Sequence, residues 1–286
     1  MIAHVAEAGE DRGRIVLQLH EAAPSRIALA AAMALAEAYQ AEIEGLFVED
    51  VQLLDLARFP FVRIAAAGGG ARTISVADME RELRHVAAAL LHEVETMARA
   101  SGLPVRSRVM RAEPTTAIAA ACAERGPWNV VVLADPFSPD DGLAIATLLE
   151  NALQATGVVM VGPKACRTQG PIVVALEEPD RLPGMMHAAE RLAAAREERI
   201  IVALIGEDEN QVHLLEEQLR LLLGERNDIE IVATEVARGE PAVAAEALRT
   251  LVGGFVIAQF GRLVMPHSRD LSALAVALEC PIFLVR

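Results

Sequence analysis

The feature that most limits the fold is an order of segments that runs through the chain twice. Arg14-Ile-Val-Leu-Gln-Leu19 and Pro171-Ile-Val-Val-Ala-Leu176 are short apolar runs bounded by polar or turn residues, the pattern of a parallel strand buried on both faces. Each leads into a helix opened by proline: Pro24 to about Gln40, with Ile27, Met33 or Ala34 and Leu35 inward, and Pro183 to about Arg196, with Met186, Ala189 and Leu192 or Ala193 inward. Second strands at Glu42–Val48 and Arg199–Ile205 precede helices at Asp78–Ala100 and Asn210–Leu223, which stop near Gly102 and Gly224. Third strands at Pro104–Met110 and Asp228–Thr234 run on toward matching tetrapeptides, Arg111-Ala-Glu-Pro114 and Arg238-Gly-Glu-Pro241. Fourth strands at Trp128–Ala134 and Gly254–Ala258, fourth helices at about Gly142–Ala155 and Ser268–Leu278, and closing strands at Val158–Val161 and Ile282–Val285 complete both copies.

Strands alternating with helices of this length imply right-handed crossovers and parallel sheets covered on both faces. The chain is therefore predicted to be α/β, with two tandem doubly wound five-stranded parallel-sheet domains, residues 1–165 and 166–286, joined through Gly162–Gly170. Aromatic residues make up only 3% of the chain while apolar residues reach 53%, which suits Ala-rich helices lying on sheets of β-branched strands. Only the first copy carries an insertion, residues 49–77. Its stretch Leu53–Phe61 is apolar enough to pack and is predicted to form a short helix, with Gly68-Gly69-Gly70 as a loose tip.

The formal net charge is −14 with no compensating Lys/Arg block, which argues against a nucleic-acid partner or an anionic membrane. Residues Met1–Arg14 mix charges early, and the longest uncharged run, Asn151–Pro163, is too short to span a bilayer. These features predict a soluble, cytoplasmic protein. Cys122, Cys166 and Cys280 have the spacing of neither a disulfide framework nor a zinc knuckle and are expected to be reduced thiols.

Several local matches, taken in order and twice over, resemble the universal stress protein family. They are the strand Arg14–Leu19 with the helix Ser25-Arg-Ile-Ala-Leu-Ala-Ala-Ala-Met-Ala-Leu-Ala36, the Glu-Pro turns at Glu113 and Glu240, the strand Trp128-Asn-Val-Val-Val-Leu-Ala134 and the ending Cys280-Pro-Ile-Phe-Leu-Val285. The resemblance covers nearly the whole chain. It implies that the closing strands of the two copies lie side by side as an intramolecular pseudo-dimer, and it leaves room for a homodimer.

The ATP-binding branch of that family is marked by Gly, two residues, Gly, nine residues, Gly and then Ser or Thr, running from strand four to helix four. Glycines let the backbone approach phosphates that a helix N-terminus then holds. In the second copy the frame reads Ala258, two residues, Gly261, nine residues, Leu271, Ser272. Leu271 puts a side chain where the anion would pass, and Ala258 is expected to narrow the turn. In the first copy, Ala134-Asp-Pro-Phe137 adds a negative charge at Asp135 and removes an N–H at Pro136. The acidic residue that the family places after strand one is His20 in the first copy and Glu177 in the second. No cofactor is expected; if ATP or another adenine nucleotide binds, it binds the second copy through Glu177, Ala258, Gly261, Leu271 and Ser272. The same residues also read simply as a strand-end carboxylate, a turn glycine and a helix start.

No catalytic or metal-binding constellation stands out. His85 and His92, near Glu82 and Glu95, fall away from the helix stripe Leu83, Val86, Leu90, Val94 and Met97 and read as a solvated face. His267, Ser268 and Asp270 are too close in sequence for a triad, and Ser268 suits a helix cap. Glu113 and Glu240 read as helix starts, although strand ends of this kind also bind ligands. The resulting expectation is a universal stress-type protein that acts by binding or regulation, with an unidentified protein partner or small molecule. The alternatives are an adenine-nucleotide binder or slow ATPase using the second domain, and an interaction module built on the insertion.

Overall fold

The computed structural model describes residues 13–19, 26–59, 63–65, 71–73, 75–123, 128–134, 155–206, 208–224, 226, 228–235, 241–259 and 271–285. The first half contains β1 (Arg14–Leu19), α1 (Arg26–Tyr39), β2 (Glu42–Asp50), α2 (Val51–Leu56), β3 (Arg63–Ala65), β4 (Ala71–Thr73), α3 (Val76–Ala100), β5 (Val105–Ala112), α4 (Pro114–Ala123), β6 (Asn129–Ala134) and β7 (Ala155–Val161). The second half contains β8 (Ile172–Leu176), a 3-10 turn at Pro179–Arg181, α5 (Leu182–Arg196), β9 (Ile200–Gly206), α6 (Glu209–Leu223), β10 (Ile229–Glu235), α7 (Pro241–Thr250), β11 (Phe255–Gln259), α8 (Leu271–Ala277) and β12 (Ile282–Val285).

The two five-stranded arrays fuse into one ten-stranded sheet, ordered β10-β9-β8-β11-β12-β7-β6-β1-β2-β5. Every neighbouring pair is parallel except β12 with β7 at the centre, where Ile282 faces Met160, Phe283 faces Val159 and Leu284 faces Val158. The closing strands thus lie side by side as the resemblance implied, and each protects the other's open edge. Gly157 permits this closeness, because a Cβ there would stand 2.6 Å from the Phe283 ring and 2.7 Å from the Leu284 carbonyl oxygen.

Helices cover both faces, which is why the central strands are apolar throughout rather than alternating. On one face α1, α3, α5 and α6 bury Leu29, Leu35, Val94, Met185, Leu192 and Leu219 against Ile15, Ile43, Val174 and Val202. On the other, α4, α7 and α8 bury Ile118, Leu248 and Leu274 against Val16, Val131, Val173 and Val256.

α1 is buried over most of its surface, from Ala28 and Leu29 through Ala31–Ala36, while Ile27 is only half-buried. It rests on β1 and β6 with one side and on α5 of the other half with another. Its run of alanines keeps side chains small enough for that close helix pairing. Solvation of His85 and His92 on α3 agrees with the sequence reading, but Met97 does not belong to the apolar stripe. It is exposed, and Ala87, Leu91 and Ala98 complete the buried side.

The described residues of the insertion hold a helix and a hairpin. Its helix, Val51–Leu56, starts before Leu53 because Asp50 caps it by accepting a hydrogen bond from the Gln52 amide at 2.8 Å, and it ends before Phe61. Beyond it β3 and β4 pair as an antiparallel hairpin that was not foreseen. The glycines 68–70 lie outside the described residues, as does most of the predicted helix 142–155. Its last residue, Ala155, belongs to β7 instead.

Candidate functional site

The carboxyl-terminal ends of parallel strands are where open α/β sheets bind ligands, since helix N-termini and loops converge there. In the second half this edge is formed by the ends of β8, β9 and β11. β8 ends at Leu176 and is followed by Glu177 and Glu178, both half-buried, and then by Asp180, which is exposed. Three carboxyl groups thus stand within four residues, with Arg181 following. β9 ends at Gly206, whose Cβ position is only 2.8 Å from Val212. The chain then turns at once into α6, capped by Asp208 accepting from the Gln211 amide at 2.8 Å. No inserted segment covers this edge between β9 and α6.

The matching edge of the first half is built differently. Asp50 closes β2 into α2, and Arg111 of β5 crosses the edge with Nε donating to Glu49 at 2.9 Å and Nη1 donating to Glu80 at 2.9 Å. The two carboxylates, Glu49 first, raise the Arg111 pKa above its ordinary value. Glu113 accepts hydrogen bonds from the hydroxyls of Thr115 and Thr116 at 3.0 and 3.2 Å, while its carbonyl accepts from the Ala117 amide. Both members of Arg111-Ala-Glu-Pro114 that could meet a ligand are thus engaged in holding the edge and starting α4.

No protein-family model matches the sequence, and no curated protein matches it. Solved structures do. A putative universal stress protein from Pseudomonas aeruginosa UCBPP-PA14 superposes with a TM-score of 0.59 at 14% identity, covering 97% of this chain and 94% of that one. A universal stress protein from Archaeoglobus fulgidus DSM 4304 gives 0.60 at 14% identity, over 95% of this chain and 96% of that one. This chain has the universal stress protein fold. The cytoplasmic domain of a prokaryotic cation chloride cotransporter also matches, with a TM-score of 0.60 at 10% identity over 96% and 95% of the two chains. At such identities the likeness speaks for the fold alone.

Of the residues expected at the nucleotide site, Glu177, just past β8, and Ala258, on β11, belong to neighbouring strands. Glu177 stands at the end of β8, while Ala258 is inside β11, paired with Leu284 and fully buried. The expectation that Ala258 narrows a turn is corrected. The strand continues to Gln259, and the Ala258 side chain packs into the core beneath α7 and α8. Leu271 and Ser272 are the first two residues of α8. Gly261 lies outside the described residues, as do His20, residues 135–137, His267, Ser268, Asp270 and Glu240.

The sequence reading missed a buried polar cluster under α4. Arg14 of β1 donates to Glu44 of β2 and to the Ala121 carbonyl, and its Nε donates to Asn129 Oδ1 at 3.2 Å. Asn129 in turn donates to the Cys122 carbonyl at 3.0 Å. Arg14, Glu44 and Asn129 are at most 2% exposed. Burial is the main cause of a raised Cys122 thiol, pushed up to about 11. This cluster fastens the end of α4 to three strands and reaches no ligand edge.

Proposed function

We propose that this chain is a universal stress-type protein of the cytoplasm that acts by binding and regulation, and that it holds triphosphates poorly. The observation that carries this reading is the composition of the second half's strand edge. Glu177, Glu178 and Asp180 gather at the end of β8, and the position of the family's first loop glycine is taken by Ala258, buried within β11. The free cysteines, two of them buried, fit a reducing compartment.

Fold alone leaves more than one role open, because the same architecture also serves as a cytoplasmic domain of a cotransporter. A second reading therefore keeps the strand edge as a site for a ligand without a phosphate chain, in which Glu177 accepts hydrogen bonds from hydroxyl or amino groups. Mass spectrometry of small molecules released from the denatured purified protein separates these readings from a nucleotide-handling protein. The expected result is no stoichiometric ATP, ADP or AMP. A nucleotide recovered at one equivalent per chain overturns the proposal.

A further inference from the structure

At the central seam, where α1 ends at Tyr39 beside α5, a cleft of about 360 Å³ opens over β6, β7 and β12. Its walls include Tyr39 and Trp128, the only tyrosine and the only tryptophan of the chain, with ring centroids 5.5 Å apart and planes tilted by 51°. Phe283, whose ring lies across Gly157, forms part of the floor. Three aromatic rings thus converge in a chain that has few.

The fourth wall is α5, which contributes Gly184 and Arg191. The Arg191 guanidinium carbon stands 5.4 Å from the Tyr39 ring centroid, and among the described residues it makes no ion pair. A guanidinium held over an aromatic face presents its fork to a planar anion. Gly184 leaves open space where a side chain would stand.

We propose that this cleft binds a small aromatic carboxylate of one or two rings, its ring against Trp128, Tyr39 and Phe283 and its carboxylate on Arg191. The volume lies near the lower end of ligand pockets, roughly 300–1,000 Å³, and suits a ligand of one or two rings. A single arginine in a chain of net charge −14 suits one negative charge rather than several. Aromatic walls reward an offset or edge-on ring above an aliphatic chain of equal area. Burial, opposed in part by Arg191, pushes the Tyr39 hydroxyl up to about 12, so it stays a neutral donor at the mouth. The site involves none of the strand-edge carboxylates and stands whether or not the edge binds a nucleotide.

The test is a titration with 3-phenylpropanoate and with its neutral counterpart 3-phenylpropan-1-ol, read by Trp128 emission and by calorimetry. The acid should bind saturably, one per chain, and more tightly than the alcohol. Gly184→Leu, which fills the cleft from open space, should abolish binding while leaving circular dichroism and Tm intact. Arg191→Gln should weaken the acid about tenfold and leave the alcohol unchanged. The proposal is overturned by the absence of saturable binding up to roughly 10 mM, by equal affinity for acid and alcohol, or by binding that survives Gly184→Leu.

Discussion

The two halves share one topology yet stabilise the start of their first strands by opposite means. In the first, Arg14 pairs beside Glu42 and Asn129, and its side chain joins Glu44 in a buried ion pair. In the second the register puts Pro171, Ile201 and Gly254 at the corresponding places, and the strands meet through the Gly254 amide donating to the Pro171 carbonyl at 2.9 Å. One end is polar and satisfied by side chains; the other is apolar and satisfied by backbone. The polar solution demands near-complete pairing, because a buried charge stripped of its partner is costly. Even here one Glu44 oxygen accepts no hydrogen bond, and the Arg108 guanidinium lies 3.9 Å from it.

The largest effect should therefore come from breaking the pair on one side. Glu44→Ala should lower stability by about 3–5 kcal/mol, whereas Ile201→Val at the matching place should cost about 0.5–1.5 kcal/mol, both measured by urea unfolding. Equal costs would remove the distinction between the halves. Arg14→Leu combined with Glu44→Leu should recover most of the loss, since well-packed apolar pairs replace buried ions at little cost.

The buried thiols extend the comparison to pH. Burial raises Cys122 to about 11 and Cys280 to about 12, above the ordinary value of 9.0. The folded state therefore keeps protons that the unfolded state gives up, so this contribution is present below pH 9 and is lost as pH rises through about 11 and then 12. Unfolding free energy should fall progressively above pH 9, and a Cys280→Ala variant should flatten the upper part of that fall. At pH 8 a thiol reagent should label exposed Cys166 and spare both buried cysteines until the protein unfolds.

Between the halves, Gly157→Val should cost about 1–3 kcal/mol by crowding Phe283 and the β12 backbone. A neutral outcome would mean that the seam tolerates a spread that the pairing of β7 and β12 does not suggest. The smallest effect lies far from the seam. Ser75 caps α3 by accepting from the Asp78 amide at 3.2 Å and donating to its carboxylate at 2.6 Å. That hydrogen bond, first among the causes, lowers the Asp78 pKa, and Ser75→Ala should cost about 1 kcal/mol of thermal stability.

The strand order and the central pairing were legible because uninterrupted apolar runs such as Ile172–Leu176 and Phe255–Ala258 announce strands buried on both faces. Glu44 was not legible as buried. In Glu42-Ile-Glu it alternates with an apolar residue, the pattern of a strand with one wet face, and only α4 lying above it changes that meaning. The extensive burial of α1 escaped for a related reason, since it depends on α5, which lies more than a hundred residues away. At the candidate edge, Glu177 was found by its position after the first strand, while Ala258 was misread because its alignment to a glycine concealed one more residue of strand pairing. Trp128 and Tyr39 carried the signal of being single in the chain, but nothing in the sequence brings them together with Arg191.

Calorimetric titration of the intact chain with ATP and Mg²⁺ tests the central claim most directly. The carboxyl groups of Glu177, Glu178 and Asp180, with Ala258 and Leu271 in place of two of the frame's three glycines, predict no tight binding and a Kd no better than about 1 mM. One ATP bound per chain with a Kd near 1 μM or below would contradict it.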